Sequence, residues 1–127
     1  MSIEIKRVAR GFGVNEMKKA VVIGGSGFLG SHIVDELSDR GFQVVIFDKE
    51  MSSWKKEHQE MVVGDFLDEE LVEKTISGAN YVYHFGGIAD IEESRQKPIE
   101  TVDINVLGTM KILKASANEQ ICLLYTS

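Results

Sequence analysis

Continuous apolar runs alternate with amphipathic stretches along the chain from residue 18 onward. Five of these runs predict buried strands, because they are short, uninterrupted and bounded by glycine or polar residues: KKAVVIG, QVVIFD, EMVVGD, NYVYHFGG and ICLLYTS. Between the first two runs, Leu29, Ile33 and Leu37 are spaced four residues apart, and Gly41 follows them. This spacing predicts a helix with one apolar stripe and a glycine at its C-terminal end.

The later segments predict two more helices. DEELVEKTISG carries acidic residues in its first turn, where they favour the positive end of the helix dipole. A longer helix begins near Pro98, a residue that suits a first turn. Its predicted apolar stripe recurs at steps of three and four residues and comprises Ile99, Val102, Val106, Met110, Leu113 and Ala117. The polar stretches DKEMSSWKKEHQ and IADIEESRQ are expected to be loops.

The order of elements, β-α-β-(α)-β-α-β-α-β, indicates an α/β fold. Uninterrupted apolar strands are typical of a parallel sheet with helices on both faces, so we predict a doubly wound parallel sheet. The ligand crevice of such a sheet lies beyond the carboxyl ends of its strands. Residues 18–127 are expected to form this domain. Residues 1–17 are expected to be a loose extension, or to precede a true start at Met17.

Composition narrows the class of protein. The chain has 127 residues, 43% of them hydrophobic, which suits one domain. Its 14 Lys and Arg against 20 Asp and Glu give a net charge of −6, which argues against duplex nucleic acid as a partner. No apolar run is long enough to span a bilayer. The single cysteine, Cys122, and the spacing of the three histidines predict neither a disulfide framework nor a metal site. We therefore expect a soluble, cytoplasmic protein.

A glycine motif follows the first strand and opens the first helix. Gly24, Gly27 and Gly30 in GGSGFLG suit a tight turn, close approach of a pyrophosphate, and close packing of helix on strand. Such a cluster is by itself often only a turn. Asp48 ends the second strand, 18 residues after Gly30, where a carboxylate accepts hydrogen bonds from the adenosine ribose. Its charge favours NAD over NADP, and the adjacent Lys49 weakens that preference.

With these motifs the chain resembles the NAD-dependent epimerase/dehydratase family of extended short-chain dehydrogenases/reductases, and most of all its UDP-glucose 4-epimerase members. The resemblance covers residues 18–127 and rests on GGSGFLG, VVGDFLD, HFGGIA and QKPIETVDINVLGTMKIL. It implies a Rossmann-type NAD(P)-binding domain. It also implies a set of cofactor-binding residues: Gly24, Gly27, Phe28, Leu29, Gly30, Asp48, Lys49, Asp65, Phe66, Phe85, Gly86, Gly87, Asn105 and Thr126.

The resemblance gives several of these residues particular roles. Asp65 would cap the adenine pocket with Phe66 beside the ring; the alternative is that Asp65 or Asp68 caps the next helix. Asn105 would be a supporting contact behind the cofactor. His84 is expected to be a packed, hydrogen-bonded residue rather than a base.

The loop after the fourth strand differs from the family pattern. Ala89 stands where the 4-epimerases usually carry lysine. The acidic cluster of Asp90, Glu92 and Glu93 suits either a paired-carboxylate site or, as we favour, a solvated loop.

The family's catalytic Tyr-x-x-x-Lys pattern does not occur in this sequence. Thr126 and Ser127 would adjoin the position of the catalytic hydroxyl. The sequence is therefore expected to be the NAD-binding N-terminal part of a nucleotide-sugar epimerase or dehydratase, inactive by itself, truncated after the fifth strand and without the substrate domain. The whole protein would be a homodimer acting on a nucleotide sugar by hydride transfer through a 4-keto sugar.

Three alternatives remain open at this point. The chain could be a noncatalytic dinucleotide-binding or sensing module, another extended short-chain reductase, or a remnant that binds nothing.

Overall fold

The computed structural model describes residues 17–88 and 90–119, and the backbone of residues 123–126. The extension predicted over residues 1–17 lies outside the described residues except for Met17, which is exposed. Ala89, Cys122 and Ser127 also lie outside them.

The sheet has the predicted parallel topology. Its strands are β1 (Lys19–Ile23), β2 (Gln43–Asp48), β3 (Glu60–Val63), β4 (Tyr81–His84) and β5 (Leu123–Thr126). They lie in the order β3-β2-β1-β4-β5, and every neighbouring pair is parallel. The chain therefore builds outward from β1 in one direction and then returns to add β4 and β5 on its other side. This reversal leaves a crevice at the carboxyl ends of β1 and β4.

Helices connect the strands. They are α1 (Phe28–Asp39), α2 (Glu69–Ile76), α3 (Ile91–Gln96), α4 (Pro98–Val102) and α5 (Gly108–Asn118), with a π-helical turn at Asp103–Leu107 joining α4 to α5. As predicted, Pro98 begins a helix, and Gly41 follows α1 with a φ of 88°. The prediction of a loop at IADIEESRQ was wrong for residues 91–96. There the Asp90 carboxylate accepts a hydrogen bond from Glu93 N at 2.7 Å and starts α3.

Alternate side chains of the strands build a core on each face of the sheet. On one face, Ala20, Val22, Val44 and Ile46 pack with Val34 and Leu37 of α1. On the other face the core joins strand residues to α2, the π-helical turn and α5, and includes Val21, Ile23, Phe47, Val72, Ile76, Ile104 and Ile112. The predicted doubly wound sheet with helices on both faces is confirmed. Among the described residues, no helix has the length and apolar character needed to cross a membrane.

The stripe predicted for α1 was right for Leu37 and the partly buried Ile33 but wrong for Leu29, and the stripe predicted for the long helix was wrong for most of its residues. In α1 the buried positions are Gly30, Val34 and Leu37, whereas Leu29 is exposed. In the long helical segment the buried face includes Ile104, Gly108, Ile112 and Ala115, and most of the predicted stripe faces outward. In each helix a glycine occupies a buried position where a side chain would not fit: Gly30 lies against the backbone of the glycine loop, and Gly108 lies against the ring of Phe66.

Candidate functional site

A cavity of about 290 Å³ opens at the crevice where the strand order reverses. The loop after β1 meets the loop after β4, because Phe85 N donates to Ile23 O at 2.8 Å. A Cβ atom on Gly24 would lie 2.7 Å from Gly86 N, and the φ of Gly24 is 80°. A side chain at this position would therefore be both strained and in collision with the opposite loop. Glycine is required if the two loops are to form one cleft.

The glycine loop presents the start of α1 to this cavity. Gly27 precedes the helix and provides no side-chain cap, unlike Asp68 before α2 and Asp90 before α3. The first N–H groups of a helix have no partner within the helix. A Cβ atom on Gly30 would collide with Gly24 O, so the helix lies tightly against the loop. These features make a cradle with free N–H donors that suits an anionic group such as a pyrophosphate.

The end of β2 supplies the charged wall of the cavity. The Asp48 carboxylate accepts from Ser26 N at 3.0 Å and from Glu50 N at 3.4 Å, which turns it toward the glycine loop. Lys49, the next residue, extends the other way and places its Nζ atom 3.5 Å from the Asp65 carboxylate. Asp65 also accepts from Leu67 N at 2.9 Å, so its carboxylate is held from two directions.

The opposite wall is the loop after β4, which the π-helical turn holds from behind. Asn105 binds the backbone of Ile88 twice: its Oδ1 accepts from Ile88 N and its Nδ2 donates to Ile88 O, both at 2.7 Å. A Cβ atom on Gly87, whose φ is 141°, would lie 2.7 Å from the same Oδ1. Asn105 thus holds the loop after β4 by its backbone, and its role behind a bound cofactor stays a prediction.

His84, at the end of β4, is packed as expected and is only 3% exposed. Its Nδ1 accepts from Gly86 N at 3.3 Å, and its Nε2 lies 3.3 Å from Thr109 Oγ1. Thr109 in turn donates to Asn105 O at 2.7 Å. The network assigns the proton to Nε2, and burial lowers the pKa of His84 to about 4. His84 is therefore neutral near pH 7 and occupied by structural hydrogen bonds.

The structure brings most of the predicted cofactor-binding residues to one cavity. Those that line it are Gly24, Gly27, Asp48, Lys49, Phe66, Phe85, Gly86 and Gly87. Gly30, Asp65 and Asn105 lie behind or beside the wall. The side chains of Phe28 and Leu29 are exposed and do not line it. Thr126 pairs in register with His84, which places its backbone at the carboxyl edge of the sheet.

Four lining residues were not predicted: Phe47, Gly64, Ile88 and Ile104. Phe47 and Ile104 belong to the core, and only their position at the strand end and in the π-helical turn makes them lining residues. Gly64 and Ile88 are next to the predicted residues Asp65 and Gly87. Their position beside a predicted residue after a strand could have identified them as lining residues.

Three acidic residues that the sequence analysis discussed, Asp68, Glu92 and Glu93, do not line the cavity. Asp68 caps α2 by accepting from Leu71 N at 3.1 Å, which is the alternative that the sequence left open for Asp65 or Asp68. Glu92 and Glu93 are exposed, as a solvated segment requires, but they lie in α3 and not in the predicted loop. Over residues 17–88 and 90–119, no group of three His, Cys, Asp or Glu side chains is placed to hold a metal ion.

A parallel sheet with a glycine loop at the reversal of strand order and an acidic residue at the end of the neighbouring strand is the arrangement of a Rossmann-type dinucleotide-binding domain. The sequence matches the model of the NAD dependent epimerase/dehydratase family over residues 20–127. This chain belongs to that family.

Individual relatives agree with this assignment. The chain is 33% identical over 109 residues to a UDP-glucose 4-epimerase of Klebsiella pneumoniae, covering 76% of this chain and 78% of that one. It is 30% identical over 105 residues to a UDP-N-acetyl-alpha-D-glucosaminuronate decarboxylase of Bacillus cytotoxicus, covering 78% of this chain but 33% of the other.

The fold also matches solved structures. The crystal structure of UDP-glucose 4-epimerase from Brucella ovis in complex with NAD superimposes with a TM-score of 0.75 at 29% identity. The match covers 81% of this chain and 33% of that chain. The present chain thus spans about a third of the length of that enzyme and of the decarboxylase.

Proposed function

We propose that the cavity binds NAD in preference to NADP, with the pyrophosphate at the start of α1 and the adenosine ribose at Asp48. The observation that carries this proposal is the Asp48 carboxylate, which is turned toward the glycine loop by its bond from Ser26 N. Ribose hydroxyls can donate to this carboxylate, whereas a 2′-phosphate would be repelled by it. The collisions that a Cβ atom would make at Gly24 and Gly30 are with the protein's own backbone, so these two glycines support the proposal by letting the glycine loop pack tightly against α1 and the loop after β4.

We further propose that residues 18–127 are the dinucleotide-binding part of a nucleotide-sugar epimerase or dehydratase. NAD supplies the hydride acceptor and donor in such chemistry. The described residues would bind and orient it: Asn105 holds the Ile88 backbone, and Phe66 lines the cavity. The substrate is proposed to be a nucleotide sugar because the relatives of known name act on UDP-sugars.

The whole protein is proposed to be a homodimer. Ile99, Val102, Val106 and Met110 are each more than half exposed and lie on the outer side of the α4–α5 segment. An apolar stripe of this kind favours burial against a partner. The cytoplasmic location expected from the sequence stays a prediction.

The proposed cofactor preference is tested by direct binding. The 127-residue chain is expected to bind NAD about tenfold more tightly than NADP, the size of one screened charge repulsion. Asp48→Ala is expected to narrow that gap, measured by calorimetric titration of both cofactors. Asp39→Ala, at the exposed end of α1, removes the same charge away from the cavity and is the control. Equal affinity of the unmodified chain for the two cofactors would contradict the role of Asp48, and no binding of either would exclude the dinucleotide site.

A further inference from the structure

Two consecutive side chains at the end of β2 extend in opposite directions. The Asp48 carboxylate faces the glycine loop through Ser26 N, on the β1 side of the strand. Lys49 Nζ faces β3 and lies 3.5 Å from Asp65 Oδ2. The cation nearest in sequence to the proposed ribose site is therefore turned away from Asp48 by an ion pair with the next strand end.

Asp65 is well placed to hold this cation. Its other oxygen, Oδ1, accepts from Leu67 N at 2.9 Å, so the turn after β3 orients the carboxylate. The end of β3 is in turn tied to β2, because Gly64 N donates to Asp48 O at 2.9 Å. The ion pair thus joins two strand ends whose spacing is set by the sheet. Both side chains are about half exposed, so salt screens the pair.

We propose that Asp65 is a second determinant of cofactor preference, acting through Lys49. This inference rests on the proposed NAD site. Lysine has a long, flexible stem and a compact charge that pairs readily with phosphate. A lysine released from Asp65 would reach toward the ribose and offset the repulsion of a 2′-phosphate by Asp48. While Asp65 holds Lys49, the lysine does not reach the 2′-phosphate, so the repulsion by Asp48 is not offset and NAD is preferred.

The test compares the ratio of the NADP and NAD dissociation constants in four chains: unmodified, Asp65→Asn, Lys49→Met and the double variant. Asp65→Asn keeps an oxygen for the Leu67 N–H bond and removes the charge. It is expected to lower the ratio of the NADP to the NAD dissociation constant by about threefold, which is the effect of an exposed ion pair. In the Lys49→Met background the same substitution is expected to leave the ratio unchanged. The ratio is used because a change in contacts to the common adenine affects both cofactors alike.

Asp68→Asn is the matched control. It removes one negative charge three residues away, keeps a good helix cap and does not contact Lys49. The shift for Asp65→Asn is also expected to shrink when the salt is raised from about 0.05 M to about 0.5 M, where screening shortens the reach of the charges. Circular dichroism confirms that each variant is folded.

The outcomes separate this inference from the proposed function. If the unmodified chain prefers NAD but Asp65→Asn leaves the ratio unchanged, the cofactor site stands and the role of Asp65 is overturned. An equal shift in the Lys49→Met background also overturns it, since Asp65 would then act by its own charge. If the unmodified chain binds neither cofactor, the proposed function and this inference both fail.

Discussion

At the scale of single residues, the same side-chain type serves different purposes according to what surrounds it. Asp68 and Asp90 each accept from an N–H three residues ahead and start a helix. Asp48 accepts from the glycine loop across the strand end, and Asp65 holds a lysine. These four residues are alike in the sequence. Only the direction of the carboxylate distinguishes a cap from a binding group.

His84 is the residue for which the surroundings have the clearest energetic consequence. Burial lowers its pKa to about 4, whereas an unfolded histidine has a pKa of about 6.5. The neutral form is favoured in the folded protein. The free energy of unfolding is therefore not reduced by His84 above about pH 6.5, and it declines as the pH falls toward 4. Protonation of His84 alone is expected to lower the free energy of unfolding by about 3 kcal/mol over that range.

Urea denaturation between pH 7 and pH 4 measures this effect. Carboxylates also titrate there, so the quantity to compare is the difference between variants. His84→Gln is expected to flatten the decline relative to the unmodified chain, whereas His58→Gln, at an exposed histidine, leaves it unchanged. Identical curves for His84→Gln and the unmodified chain would show that His84 accepts a proton freely in the folded state.

At the scale of elements, the α4–α5 segment shows why a hydrophobic pattern selected the wrong face. Its inner face combines Ile104 and Ile112 with the small residues Gly108, Ala115 and Ser116. At Gly108 a larger residue would not fit, because a Cβ atom there would collide with the ring of Phe66. The apolar residues that the pattern selected, among them Val106 and Met110, lie on the outer face instead. The π-helical turn falls where Asn105 reaches the Ile88 backbone, in line with the frequent placement of such turns at functional sites.

The outer face of this segment leads to a prediction about assembly. We expect the chain to self-associate through the exposed apolar stripe, and Val106→Glu with Met110→Glu to give monomers, because two charges cannot be buried without partners. Light scattering after size-exclusion chromatography measures the mass. Met51→Glu, at an exposed methionine in the loop after β2, is the control and should stay dimeric. A monomeric unmodified chain at high concentration would contradict the proposed interface.

At the scale of the whole molecule, the reversal of strand order assembles the site. Residues from the ends of β1, β2, β3 and β4 meet at one edge, although they are separated by many residues in the sequence. All of the described lining residues serve cofactor binding in our proposal. The chain spans about a third of the Brucella ovis enzyme and of the Bacillus cytotoxicus decarboxylase.

A chain with these residues is expected to bind NAD but not to convert a nucleotide sugar. With NAD and UDP-glucose, the 127-residue chain is expected to form no measurable UDP-galactose, because a tyrosine with lysine four residues later is absent from its sequence. A coupled assay for the product measures this, with a full-length epimerase as the positive control. Turnover by the chain that disappears in Asp48→Ala would show that another group in these residues carries the proton transfer.

Much of the fold and of the site was predictable from local patterns. The five strands, their parallel arrangement and the glycine loop follow from apolar runs and spacing, since each depends on residues close together in the chain. Helix faces were predicted less well, because Gly30 and Gly108 are buried for reasons of space and not of hydrophobicity. The short helix α3 was missed because its six residues are mostly polar and none is buried.

The sequence by itself determined the class of fold, the cofactor loop and the identity of Asp48 as an acidic residue at a strand end. Those features depend on residue type and on spacing over a few residues, and both are present in the sequence before the chain folds. Only the tertiary structure decided that Lys49 pairs with Asp65, that Asn105 hydrogen-bonds to the Ile88 backbone and that His84 stays neutral near pH 7. Each of these depends on distance and burial between elements far apart in the chain, and such distances arise only when the sheet is assembled.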